Sequence, residues 1–165
     1  MIFSATATHA LRAVACLAGN ESGEAMGGRD LAKRVGLPGH YLAKVLATLA
    51  RSGLLTASRG VKGGYRLARR ADRIRLMEVV LPFEGQRARP GCLLRPDRPC
   101  RDSGACSAHP AWGAMKKAFT RFLEKTTVAD IQGGEPGLLS NRSRGVSRSV
   151  AGAHRGRSTP RRGRA

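Results

Sequence analysis

Leu54-Leu55-Thr56-Ala57-Ser58, then Arg59-Gly60-Val61-Lys62-Gly63-Gly64, then Tyr65-Arg66-Leu67-Ala68: this stretch decides the fold. Two short runs flank a glycine-rich basic turn, the pattern of a β-hairpin whose loop is longer than two residues. Just upstream, Pro38 to about Arg51 predicts a helix with Leu42, Val45, Leu46 and Leu49 facing inward and Gly53 as its cap. Pro38 suits the first turn of that helix. Before it, Gly36-Leu37-Pro38 turns the chain out of a shorter helix, Arg29 to Val35, with Leu31, Ala32 and Val35 on one face. Two short helices joined by a glycine-containing turn form a helix-turn-helix. The hairpin directly behind it reads as a wing. The expected fold class is mostly α with a small β-hairpin wing, a winged helix-turn-helix domain.

Around this module the chain is helical. Ala7, Ala10, Leu11, Val14, Ala15, Leu17 and Ala18 recur at helical spacing, predicting a first helix over Ala5 to Ala18 that ends at Gly19-Asn20. Ile74 to about Phe83 alternates briefly and then becomes a short helix. From Pro110 to Thr127, Trp112, Met115, Ala118, Phe119, Phe122 and Leu123 make a long apolar stripe, expected to be a dimerisation helix. The organisation read from these patterns is a DNA-binding domain at 1–83, a cysteine-rich loop at 84–109, the dimerisation helix at 110–131 and an Arg-rich tail at 132–165.

Charge narrows the function. Formal net charge is +19 over 165 residues, with 30 Lys and Arg against 11 acids. From Gly133 onward there are eight Arg and one acid, Glu135, with few large apolar residues, a composition expected to be disordered and able to tether DNA non-specifically. Such positive charge seeks polyanions. No apolar run reaches the length of a membrane span, and Met1-Ile2-Phe3-Ser4 lacks the basic start of a secretory signal. A cytoplasmic location is expected, where clustered cysteines serve metals or redox chemistry more often than structural disulfides. Motifs of hydrolases, zinc proteases and nucleotide-binding loops are missing, and no enzyme is expected.

In the helix-turn-helix, the start of the second helix reaches base edges in the major groove. Gly39, His40, Tyr41 and Lys44 are the expected base or phosphate contacts, with Tyr41 partly buried. Arg59 at the wing tip can enter a minor groove, and Lys62 and Arg66 can hold phosphates.

Cys92, Cys100 and Cys106 fall in a Pro- and Gly-rich loop with His109 just after, spaced C-x7-C-x5-C-x2-H. Thiolate sulfur suits iron–sulfur clusters, zinc and copper(I). Three cysteines leave one ligand position open, and His109 is the local candidate. A structural zinc site and a thiol-based redox switch remain open alternatives. Cys16, on the apolar first helix, reads as a small buried hydrophobe.

Tyr41-Leu42-Ala43-Lys44-Val45-Leu46, Gly53-Leu54-Leu55 and Ser58 through Ala68 resemble the Rrf-type family of bacterial winged-helix regulators, which includes the iron–sulfur regulators IscR, NsrR and RirA. His9-Ala10-Leu11-Arg12, Glu84-Gly85 and the three-cysteine loop match it too, and the likeness covers about residues 1–131. It implies a homodimer on a palindromic operator in double-stranded DNA, and a two-iron (2Fe-2S) or four-iron (4Fe-4S) iron–sulfur cluster on Cys92, Cys100 and Cys106. His109 matches the IscR-type fourth ligand, while Thr8 stands where NsrR-like members carry an acid.

Overall fold

Helix α1 (Ala5–Ala18) is the pillar of the molecule. Ser4 caps it by accepting from the Ala7 N–H at 3.2 Å, worth about 1 kcal/mol for such a cap. Ala7, Ala10, Ala13, Val14, Ala15, Cys16 and Leu17 are all buried, and so many small inward residues let other elements approach α1 from several sides. The computed structural model describes residues 3–20, 23–60, 63–88 (backbone alone at 86 and 87), 91–95, 98, 103 and 105–132. Lys62, Cys100 and the Arg-rich tail from residue 133 onward lie outside the described residues.

Around α1 pack α2 (Gly28–Val35), α3 (Gly39–Arg51), α4 (Leu76–Glu84) and the short α6 (Val128–Ile131). Both helices of the helix-turn-helix end in the same device. Gly36 and Gly53 take left-handed φ values of 65° and 74°. The next residues, Leu37 and Leu54, donate back to the carbonyls of Ala32 and Leu49, each at 3.0 Å. These are Schellman closures, which need a residue without a Cβ at the left-handed position. Leu31, Leu42, Leu46 and Leu49 are at most 1% exposed and lock α2 and α3 onto α1.

The wing is an antiparallel pair, β1 (Leu55–Ser58) with β2 (Gly64–Leu67), in register Leu55↔Leu67 and Ser58↔Gly64. Met26 adds a single bridge, exchanging two 2.9 Å hydrogen bonds with Tyr65. A Cβ on Gly64 would overlap the Met26 carbonyl, so this close approach requires glycine.

Helix α5 (His109–Lys125) follows the cysteine loop. Leu123 is fully buried, and Phe119 meets Phe3 with ring centroids 5.6 Å apart. Beyond α5, Leu76 N–H donates to Thr126 O at 2.9 Å and Val128 N–H to Ile74 O at 2.8 Å. These bonds tie the end of α5 to the start of α4. The fold is the expected mostly helical winged helix-turn-helix with a two-stranded wing. It differs from expectation at three margins. Pro38 is the N-cap of α3 rather than part of its first turn, α5 takes in His109, and α6 is an additional turn. Among the described residues no helix is long and apolar enough to cross a membrane.

Candidate nucleic-acid interface and cysteine loop

The surface of α3 divides cleanly. Leu42, Val45, Leu46 and Leu49 face the core, while Gly39, His40, Ala43, Lys44, Ala47 and Arg51 are exposed. His40, Lys44, Ala47 and Arg51 follow one helical stripe (i, i+4, i+7, i+11). The small Ala43 and Ala47 leave room for a groove wall to come close to the backbone. Arg51 escaped the sequence reading because it marked the helix end. Its position on the stripe with Lys44 was the signal that could have found it. Tyr41 lies apart from the stripe: it is half-buried, and its hydroxyl donates to Thr6 Oγ1 at 3.1 Å.

On the wing, Arg59 is exposed beside Gly60, whose φ is 106°. Arg66 is exposed on β2, its Nε donating to Thr56 Oγ1 across the hairpin at 3.1 Å. That bond holds the guanidinium along the strand pair. Among the described residues no polar or charged side chain is buried. Lys44 and Arg51 on α3 and Arg59 and Arg66 on the wing stand in solvent, available to phosphates.

The cysteine loop is held at several points. Cys92 is half-buried, and its N–H donates to Arg98 O at 2.9 Å. Trp112 Nε1, one turn into α5, donates to Gly91 O at 2.9 Å and anchors the chain next to Cys92. Cys106 is exposed, and the His109 N–H donates to its carbonyl at 2.9 Å, so the two share one turn at the head of α5. Cys106 is a free cysteine, whereas Cys100 lies outside the described residues. Among the described residues no three His, Cys, Asp or Glu side chains gather into a metal site. The donors themselves, thiol sulfur with a nearby imidazole, suit iron or zinc. Cys16 is buried in the core as expected. Burial pushes its thiol pKa up, against the opposing pull of the Arg34 guanidinium.

The profile of the Rrf2 family, described as an iron-dependent transcriptional regulator, matches residues 3–133. The chain belongs to the Rrf2 family. Its relatives agree. A candidate HTH-type transcriptional regulator of Aquifex aeolicus is 32% identical over 133 residues, covering 79% of this chain and 91% of that protein. IscR of Xenorhabdus nematophila, also HTH-type, is 28% identical over 102 residues, covering 62% of this chain and 61% of that one. Among solved structures, CymR (YrzC), the global cysteine regulator of B. subtilis, superposes with a TM-score of 0.66 at 24% identity, covering 78% and 94% of the two chains. IscR of T. potens gives 0.62 at 25% identity, covering 78% and 83%. This Rrf2-family protein is thus a helix-turn-helix transcriptional regulator and not an enzyme.

Proposed function

We propose that the protein is a cytoplasmic, homodimeric DNA-binding regulator that reads a palindromic operator and reports redox, nitric oxide or iron status through an iron–sulfur cluster. The observation that carries the DNA reading is the exposed stripe His40, Lys44, Ala47, Arg51 on a helix whose other face is wholly buried. In the major groove His40 and Lys44 reach base edges or phosphates from its first turns, with Gly39 allowing close approach. Arg59 enters the adjacent minor groove, and Lys62 and Arg66 hold phosphates. Met115 and Phe122 on α5 are 42% and 50% exposed, and a second copy of this chain would cover them.

Cys92, Cys100 and Cys106, with His109 as the fourth ligand, would hold the cluster. A bound cluster supplies a centre that oxidants, nitric oxide or iron shortage alter. The chain contributes position: Trp112 fixes the backbone beside Cys92, and the Cys106–His109 turn opens the dimer helix. The exposure of the free Cys106 thiol favours one second reading, a thiol-based redox switch. Visible absorption and metal analysis of anaerobically purified protein separate these readings. The cluster predicts a brown protein that loses colour on Cys92→Ala, Cys100→Ala or Cys106→Ala. A colourless protein carrying zinc, or no metal, would overturn it.

A further inference from the structure

Tyr41 follows His40 at the start of α3, yet it turns away from the exposed stripe. Its hydroxyl donates to Thr6 Oγ1 at 3.1 Å and lies 3.2 Å from His9 Nδ1. The His9 and Tyr41 rings meet edge-on at 89°, with centroids 5.5 Å apart. With the phenolic hydrogen on Thr6, the phenolic oxygen accepts from Nδ1–H of the imidazole. Three residues further along α1, the Arg12 guanidinium donates to the Val35 carbonyl at the end of α2. Polar side chains of α1 at i, i+3 and i+6 therefore grip both sides of the turn between the two helix-turn-helix elements. The apolar contacts of α3 with the body come from Leu42, Val45, Leu46 and Leu49, with Ala50 half-buried beside them. Such apolar packing sets how deep the helix sits but is non-directional. Hydrogen bonds fix direction, and those of Tyr41 anchor the end of α3 that carries His40.

We propose that Thr6 and His9 are positioning residues for DNA reading: they hold Tyr41, and through it the rotation at which His40 and Lys44 meet the groove, with no contact from Tyr41 to DNA. The inference rests on the groove assignment of α3. It makes sequence discrimination depend on a hydroxyl, that of Thr6, on a different helix from the reading residues. Site constellations lose function when misplaced by fractions of an ångström or some tens of degrees, so loosening the anchor costs specific binding most.

The test uses the full chain and two duplexes, one selected by this protein from a random-sequence pool and one scrambled from it. Tyr41→Phe and Thr6→Val preserve shape and each remove one hydroxyl. Each is expected to weaken binding to the selected duplex about three- to tenfold, the change one net hydrogen bond carries. Binding to the scrambled duplex, and its salt dependence, should stay unchanged. Because Tyr41→Phe already breaks the bond that Thr6→Val removes, the double variant should bind no worse than Tyr41→Phe alone. Thermal unfolding of the same samples separates loss of fold from loss of positioning. Equal weakening on both duplexes by Tyr41→Phe would mark its hydroxyl as a phosphate contact and overturn the proposal. So would Thr6→Val with full discrimination, even at a lowered melting temperature. A pool that yields no preferred duplex, or full binding by Lys44→Ala, would sink the groove assignment and the positioning role with it.

Discussion

His9 shows how one side chain couples acidity to stability. Burial, and then the Arg12 guanidinium, hold its pKa below the ordinary value of about 6.5. The folded protein thus resists protonating an imidazole that the unfolded chain protonates freely. The stabilisation is full above the unfolded pKa and is lost as pH falls from there through the folded value. His9→Gln keeps an amide donor for Tyr41 but does not titrate. Melting temperature recorded between about pH 6.5 and 5 should fall less steeply in the variant, and identical slopes would contradict the assignment. At this scale the sequence was legible where chemistry is local. Gly53 as a helix stop and Cys16 as a core residue each follow from their neighbours. The fate of Tyr41 was not, because Thr6 and His9 stand 35 and 32 residues away. No periodicity on α3 says which half-buried residue finds a long-range partner.

Among elements, α5 carries two kinds of apolar residue side by side. Leu123 is fully buried against the body, while its neighbour Phe122 stays 50% exposed. Leu123→Ala should cost about 2–5 kcal/mol of unfolding free energy, as large-to-small core changes do. That cost should be the same at every protein concentration in denaturant titrations. Phe122→Lys should instead weaken self-association, seen as a monomer in sedimentation at concentrations where the parent dimerises. The reverse pattern would exchange the roles of the two faces. The stripe on α5 was readable from its spacing, but which side of it meets the protein's own core was not. The hairpin was readable because two short runs flank a glycine-rich turn, where a Cβ on Gly63 would overlap the Ser58 carbonyl. The single Met26–Tyr65 bridge left no trace in the pattern, because one residue has no alternation. Helix α6 went unread because Thr127 and Asp130, which cap it with a 2.7 Å bond from the Thr127 N–H to the carboxylate, look like an ordinary polar pair.

For the whole molecule, the proposed function requires a physical connection between the cysteine loop and α3. Upstream, the loop leaves α4 at Glu84, whose carboxylate accepts the Ser4 N–H at the head of α1 at 2.7 Å. Ala88, just beyond, is 1% exposed and seats the start of the loop in the core. Downstream, Trp112 ties Gly91 to α5, and α5 is tied to α4 through Thr126 and Leu76. Helix α1 in turn holds the helix-turn-helix through Thr6, His9 and Arg12. These contacts link the loop to the elements that grip α3, and the proposed sensing rests on that linkage. Residue type and spacing mark Cys92, Cys100, Cys106 and His109 as a candidate ligand set. A loop carries no periodicity from which to derive a geometry for them. The most direct measurement is anaerobic fluorescence anisotropy of one selected duplex with iron-loaded protein and with the same protein stripped of iron by a chelator. The account predicts affinities that differ by at least about tenfold, equivalent to about 1.4 kcal/mol of coupling. Equal affinity in both states, with the fold intact in each, would contradict it.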